Sequence, residues 1–195
     1  IITSSQYLEI PRTPADNGPL HGVAPVTPPG MSLVDQYLLV AAVNDSYIYG
    51  SVDQRRKTIT AVTPGPTNHE IIIEFEGSPH HFTGTSPAQR YYVTAPPVSW
   101  CYQPNTQQLW RFSHYGINPT APTFISLQSS FDAQGEVMAQ GMTNDLTVPN
   151  AQWPFVVDEA TLVRSSLIQL DWRFTHARTG ESIQLLHEVH IANVP

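Results

Sequence analysis

Positive charge is concentrated in one short stretch of the chain, Arg55-Arg56-Lys57. The protein has 195 residues, nine of them lysine or arginine, and Lys57 is its only lysine. An arginine guanidinium can form two parallel hydrogen bonds with a carboxylate, which a lysine ammonium cannot reproduce. Arg55 and Arg56 therefore predict a site for an anionic or polyhydroxylated ligand. The alternative is a solvated strand end that discourages pairing with neighbouring sheets.

Aromatic side chains beside the predicted strands and turns offer a second kind of ligand contact. Neutral sugars are bound by aromatic faces, while Arg, Asn and Gln hydrogen-bond to their hydroxyl groups. Tyr115 lies in a predicted turn, HYGINP, and Trp153 lies at the start of a predicted strand. The alternative for each ring is packing inside the fold. We predict that Tyr115 and Trp153 contact the ligand together with Arg55 and Arg56.

The histidines and the single cysteine lack the spacing of a catalytic or metal site. His187 and His190 in HEVH point to opposite faces of a strand, whereas the zinc-protease motif needs histidines four apart on a helix. His187 is expected to be a core histidine. The adjacent His80 and His81 also diverge on a strand. Cys101 lies in the middle of a predicted strand, where a buried thiol is usually inert.

Other sequence features exclude several classes of function. There is no GxSxG nucleophile elbow, no phosphate-binding loop and no dinucleotide fingerprint. The net charge of −7 disfavours nucleic acid, because phosphate binding needs many cations. One cysteine cannot form an internal disulfide framework, and no apolar run approaches the ~18 residues of a membrane span. The sequence therefore predicts no enzyme, no metal, no cofactor, no nucleic acid and no membrane insertion.

The elements that must position these residues are short strands with period-two alternation. In EIIIEFEG (70–77), Ile71, Ile73 and Phe75 share one face. A long hairpin is predicted over 166–192. Its first strand places Ile168, Leu170, Trp172 and Phe174 on the buried face, opposite Asp171 and Arg173, and its second strand returns with Ile183, Leu185, Val189 and Ile191 inward.

Further strands are bounded by Pro, Gly, Asn or Asp. They are predicted over 36–43, 46–50, 57–63, 90–94, 99–103, 107–112, 123–129, 136–140 and 153–157. Only residues 158–166 have the pattern of a short helix. About eleven strands at this spacing are typical of a sandwich or barrel. Residues 11–30 are rich in proline and predict no regular structure, so we expect an extended N-terminal arm over 1–30 and one β-sandwich domain over 31–195.

Several segments follow, in order over roughly residues 19–157, the pattern of one known family. The matching segments are LHGVAPVTPPG before Asp35–Ala41, Arg55–Thr60 running to Pro64, Gln108–Phe112, Gly135–Met138 and Gly141–Thr143. In this pattern the chain resembles the glycan-binding head domain of the rotavirus outer-capsid spike protein. The family's sialic-acid segment, Lys-Tyr-Tyr-Ser, falls near Pro149–Gln152, which carries none of those side chains, and the hairpin 166–192 has no clear counterpart.

The resemblance implies a galectin-like sandwich of two antiparallel sheets without catalytic activity. It implies a lectin-like role in host-cell attachment at the virion surface. The partners would be a sialylated or blood-group-type cell-surface glycan and the rest of the spike protein. The family's arginine carries over to Arg55, and Tyr115 falls near another family contact. Two alternatives remain: a structural capsid or protruding domain that makes protein contacts only, and a carbohydrate-active β-sandwich hydrolase.

Overall fold

Strands dominate the secondary structure of the protein. The computed structural model describes residues 2–6, 8–9, 18–27, 29–42, 45–50, 55–77, 82, 90–130, 132–148, 152–158 and 166–191. Strands account for 49% and helices for 7% of the residues that the structure describes. An average globular protein has about 30–35% helix. The strands form three antiparallel sheets, so the predicted all-β class is confirmed, and the sheets are consistent with a sandwich. The galectin-like topology stays a prediction. Within the described ranges, no helix has the length and apolarity to cross a membrane.

The chain forms two compact units, both of them discontinuous in sequence. The first contains Ile1–Pro97 and Gly116–Thr123, and the second contains Val98–Tyr115 and Phe124–Pro195. The boundary expected at residue 30 coincides with no boundary of either unit. The proline-rich stretch 11–30 also contains a strand, Leu20–Val23, contrary to the prediction of no regular structure there. That strand forms because Leu20 is buried in the core of the first unit.

The first unit is built on one seven-stranded antiparallel sheet. Its strands are β1 (Ile2–Gln6), β2 (Leu8–Glu9), β3 (Leu20–Val23), β4 (Tyr37–Val40), β5 (Arg56–Pro64), β6 (Glu70–Phe75) and β7 (Arg90–Thr94). A short helix, α1 (Asp45–Tyr49), connects β4 to β5. The strand order is β1-β7-β4-β5-β6-β3-β2. The two terminal positions in this order are therefore taken by β1 and β2, which are consecutive in the chain.

The N-terminal segment closes this sheet on itself. One residue separates β1 from β2 in the sequence. β1 pairs with β7, from Ile2 opposite Thr94 to Gln6 opposite Arg90, while β2 pairs with β3. Every neighbouring pair around the sheet is antiparallel. The continuous segment 2–9 therefore pairs with both ends of the sheet, with β7 at one end and β3 at the other.

Alternating side chains from these strands fill one core. On β6, Ile73 and Phe75 are buried and Glu74 is exposed, which confirms the predicted faces. On β5, the register shifts between Ile59 and Ala61. Because a bulge reverses the alternation beyond it, Val62 packs against the core, although strict alternation from the buried Ile59 would place Ala61 there.

The second unit contains two three-stranded antiparallel sheets. One has the order β10-β9-β8 and the other β11-β12-β13. The elements are β8 (Ser99–Gln103), β9 (Gln108–Ser113), α2 (Phe124–Ser129), β10 (Gln134–Gln140), β11 (Phe155–Asp158), β12 (Ser166–Thr175) and β13 (Ser182–Ile191). The predicted strands over 99–103, 107–112 and 136–140 are confirmed within a residue or two.

Two segments predicted as strands are helices. In α2, Phe124 and Leu127 are three residues apart and therefore share one helix face; Leu127 is buried. Residues 46–50 were predicted as a hairpin strand, but residues 46–49 belong to α1. The helix ends before Gly50, and glycine is common at helix C-termini. In such short segments, helical spacing and strand alternation are hard to distinguish. The helix predicted over 158–166 lies almost entirely outside the described residues.

The predicted C-terminal hairpin forms, with Trp172 opposite Leu185 and Phe174 opposite Ile183. Its predicted burial is wrong. Ile183 is 62% exposed and Leu185 is 52% exposed, and every residue from 182 to 190 is exposed. Trp172 and Phe174 are only half-buried, as are Asp171 and Arg173 on the opposite face. β13 is the last strand of its sheet, and none of its described side chains belongs to the buried core.

Candidate functional site: an aromatic pocket in the second unit

An open, mostly apolar pocket lies in the second unit. Its volume is about 330 Å³, and its lining residues are Tyr102, Leu146, Trp153, Pro154 and Phe155. This volume is near the lower end of the ~300–1,000 Å³ typical of small-molecule sites. Three of the five lining residues are aromatic. The pocket thus offers ring faces to a small ligand or to the end of a larger one.

The pocket walls come from both sheets of the unit. Tyr102 lies on β8 and Phe155 on β11, while Leu146 and Trp153 lie in the connection that leads from β10 to β11. Met142 forms an isolated bridge with Phe174 of β12, and its amide donates to the Gln107 carbonyl over 3.0 Å. The connection is therefore tied to both sheets directly before it reaches the pocket.

Asn144 fixes this connection from inside the fold. It is only 5% exposed. Its Nδ2 donates to the carbonyls of Gln152 (2.8 Å) and Asp171 (2.7 Å), and its Oδ1 accepts from the Arg173 amide at 3.0 Å. Both amide donors and the amide acceptor are thus satisfied. This network fixes the spacing between Leu146 and Trp153 in the pocket wall.

The ring of Trp153 is held by its edge. Its Nε1 donates to the Leu146 carbonyl over 3.1 Å, and the side chain is 38% exposed. A tryptophan whose N–H is already satisfied can present its ring face to a ligand without leaving a buried polar group unpaired. Trp153 is the one predicted site residue that lines the pocket.

The surroundings of the pocket carry negative charge. The Tyr102 hydroxyl lies 3.1 Å from the Met142 and Asn144 carbonyls, to which it donates. Burial, and then the negative charge of Asp145, raise the pKa of Tyr102. The Thr147 hydroxyl (2.6 Å) and amide (2.8 Å) donate to Asp145 Oδ1 and hold the pKa of that carboxyl below its ordinary value. An ionised carboxylate therefore lies within electrostatic reach of the pocket, and none of the five lining residues is a cation.

The two predicted arginines belong to the first unit, where both contact their own chain. Arg55 Nη1 donates to the Ala41 carbonyl over 2.7 Å, and its guanidinium lies 3.9 Å from the centroid of the Tyr47 ring. Arg56 Nη1 donates to the Ile48 carbonyl of α1. These contacts fasten α1 and the end of β4 to the start of β5. A ligand contact by either arginine stays a prediction.

Tyr115 lies two residues beyond the end of β9 and is half-buried. Its hydroxyl and the Ser99 hydroxyl are 2.8 Å apart. Tyr115 is not among the residues that line the pocket. The structure therefore does not bring the four predicted residues together at the pocket.

The described histidines and Cys101 show no features of a metal site or a reactive thiol. The described residues contain no group of three or more His, Cys, Asp or Glu side chains that could hold a metal ion. His187 is exposed on β13, so its prediction as a core histidine is wrong. Burial raises the pKa of Cys101 on β8, which favours the unreactive thiol over the thiolate. His80 and His81 lie outside the described residues.

Tyr102, Leu146, Pro154 and Phe155 were not predicted as site residues. The sequence feature that could have indicated these residues is the presence of aromatic residues at 102, 153 and 155, each in or next to a predicted strand. What brings them together is the polar network of Asn144, which has no local sequence pattern.

Comparisons with known proteins give no relative from which a function can be transferred. A scan against protein-family models, a search of curated proteins and a search of solved structures each found no match. The resemblance to spike heads therefore remains an expectation from sequence.

Proposed function

We propose that this chain is a non-catalytic, glycan-binding domain that mediates attachment to host-cell surfaces, and that the pocket around Trp153 holds the sugar. The observation that carries the proposal is an open pocket lined by three aromatic side chains, one of which has its ring edge fixed. Sugar rings bind to such surfaces through their C–H faces. The placement on a virion surface rests on the sequence resemblance alone.

The charges near the pocket favour a neutral sugar over a sialylated one. Sialic acid carries a carboxylate, which would need an arginine or a lysine to balance it. None of the described residues that line the pocket is a cation, and Asp145 adds a negative charge nearby. A carboxylate can accept hydrogen bonds from sugar hydroxyl groups, so Asp145 suits a neutral, blood-group-type glycan. Pro149–Gln152 lacks the family's sialic-acid side chains, which agrees with this choice.

The test begins with a glycan array probed with the purified protein. The selected glycan is then titrated while the indole N–H resonances are followed by NMR. The chain has four tryptophans, so the Trp153 signal can be assigned with single variants. We expect that signal to shift most. We also expect Trp153→Ala to weaken binding at least about tenfold, equivalent to ~1.4 kcal/mol.

Trp100→Ala is the matched control. Trp100 is exposed to a similar degree, 41% against 38% for Trp153, and it lies in the same unit but does not line the pocket. We expect the Trp100 variant to bind as the parent does. An array without any selected glycan would contradict the proposed function. A glycan that binds both tryptophan variants equally well would instead move the site away from this pocket.

A further inference from the structure

Strand β13 presents an unusually open edge. It is ten residues long and is the last strand in its sheet. Four apolar side chains along it are exposed: Ile183 (62%), Leu185 (52%), Leu186 (65%) and Val189 (39%). They lie on both faces of the strand, because the first two are odd-numbered and Leu186 is even-numbered. Within the described part of the chain, no strand pairs with the outer edge of β13.

This edge carries few of the usual protections against pairing. Edge strands are commonly blocked by charged side chains, especially lysine, by proline or a bulge, or kept very short. The sequence of β13, SIQLLHEVHI, has no lysine and no proline, and Glu188 is its one acidic residue. Its pairing with β12 runs through ten consecutive residue pairs without a register shift. A long, regular and apolar edge is suited to accept another strand.

We propose that β13 pairs with β13 of a second copy of this chain, antiparallel about a two-fold axis centred on Leu186. A two-fold axis perpendicular to the sheet keeps each face on its own side. The two residue numbers in a cross-strand pair must then be both odd or both even. Their sum must be the same for every pair along the strand. One residue therefore lies on the axis, opposite its own copy.

The side-chain chemistry selects Leu186 for that position. With Leu186 on the axis, Gln184 lies opposite Glu188 and Ile183 lies opposite Val189, each pair occurring twice. A hydrogen-bonding pair and an apolar pair are thus matched on their own faces. A centre at Glu188 would place like charges directly opposite each other, and a centre at His187 would place Glu188 opposite Leu186. The one unlike pair of the Leu186 centre is Leu185 opposite His187, whereas a centre at Leu185 would create two unlike pairs, Ile183 opposite His187 and Gln184 opposite Leu186.

Both side chains of the polar pair are already ordered within each copy by hydrogen bonds to side chains of β12. Gln184 Nε2 donates to Asp171 Oδ1 over 3.0 Å, and Gln169 Nε2 donates to Glu188 Oε1 over 3.1 Å. Fixed side chains lose less conformational entropy on association. The overlap Ser182–His190 would add about 8–10 backbone hydrogen bonds, which is within the ~10 ± 5 of a typical protein interface.

Sedimentation velocity of the full chain over a wide concentration range tests the dimer. We expect a reversible monomer–dimer equilibrium for the parent. Leu186→Lys should weaken the dimer at least about tenfold, because two like charges would meet on the axis. Val26→Lys is the control, because Val26 is 90% exposed in the first unit; it should dimerise as the parent does. Circular dichroism checks that both variants remain folded.

Disulfide trapping tests the register in a Cys101→Ser background. Only a residue on the axis lies opposite its own copy, at the 4.4–6.8 Å Cα separation that a disulfide requires. Leu186→Cys should therefore form a covalent dimer under mild oxidation, whereas Leu185→Cys and Glu188→Cys should not. A monomeric parent at all concentrations, or preferential trapping at another position, would overturn the proposal. The glycan test is independent of this result.

Discussion

Arg55 shows how a surface-looking charge can serve the fold. The sequence places Arg55 just beyond the start of a strand, and from that position alone Arg55→Ala is expected to change the stability little. The structure gives it a hydrogen bond to the Ala41 carbonyl and a cation–π contact with Tyr47. Ala41 has a φ of 50°, in the left-handed region that residues other than glycine rarely adopt. The Arg55 bond is made to this strained residue.

We expect Arg55→Ala to lower the free energy of unfolding by about 2 kcal/mol, since hydrogen bonds of charged groups contribute ~1.5–3 kcal/mol. In a chain of this size the melting temperature should fall by about 4–8 °C. Arg111→Ala is the control, because the Arg111–Glu136 pair is a 3.6 Å contact with an exposed glutamate and such pairs contribute ~0–1 kcal/mol. Equal melting temperatures for the two variants would contradict the structural role of Arg55.

Glu70 makes the first unit sensitive to acid. His21 Nδ1 lies 2.9 Å from Glu70 Oε1, and the Thr67 hydroxyl donates to Oε2 over 2.7 Å. These bonds, that of His21 first, lower the pKa of Glu70. Because the folded pKa is below the unfolded one, ~4.3, the stabilisation is complete above the unfolded value. It is lost as the pH falls through the folded value.

We therefore expect Glu70→Gln to melt below the parent at neutral pH, and the difference to shrink as the pH falls below ~4.3. The reason is that a protonated glutamate and a glutamine carry the same charge. Thermal melts of both proteins from neutral to strongly acidic pH measure this difference. A gap that stays constant through the acid range would show that the ionised carboxylate contributes nothing.

The connection between β10 and β11 determines whether the pocket exists. Asn144 is its buried anchor, with three side-chain hydrogen bonds to backbone groups. Asn144→Ala should cost about 3 kcal/mol, at about 1 kcal/mol for each hydrogen bond, and should lower the melting temperature by ~6–12 °C. It should also weaken glycan binding, because Leu146 and Trp153 would lose their fixed spacing.

Asn105→Ala is the control for this prediction, because Asn105 is exposed in the turn between β8 and β9. Chemical denaturation compares the three proteins. If Asn144→Ala unfolds at the same denaturant concentration as Asn105→Ala, then the network does not support the second unit.

Strand positions could be predicted from sequence, and their environment often could not. Alternation located β6, β7, β8 and β9 and the hairpin of β12 and β13, because each has several residues of period two. The burial of Ile183 and Leu185 was wrong, since an apolar pattern shows which face is apolar but not whether the chain itself covers that face. Asn144 joins residues far apart in sequence, so the pocket had no local signal beyond its aromatic rings.

The two compact units are each assembled from separated stretches of the chain. Prolines lie at two of the boundaries, Pro96 and Pro97 before Val98 and Pro119 and Pro122 before Phe124. Because prolines occur throughout the chain, they do not reveal that the chain returns to the first unit at Gly116–Thr123. The all-β class follows from composition and alternation, whereas such a division depends on contacts between distant residues.

The closure of the seven-stranded sheet has a consequence for biosynthesis. Residues 2–9 leave the ribosome before residues 90–94, which are the partners of β1. At ~5–20 residues per second, on the order of 5–20 s pass before β7 has been made. During that time β1 lacks its partner strand, and the first unit cannot complete its fold until its last segment, Gly116–Thr123, has been translated. We therefore expect the folding of the nascent chain to depend on the speed of elongation and on chaperones that shield unpaired strands.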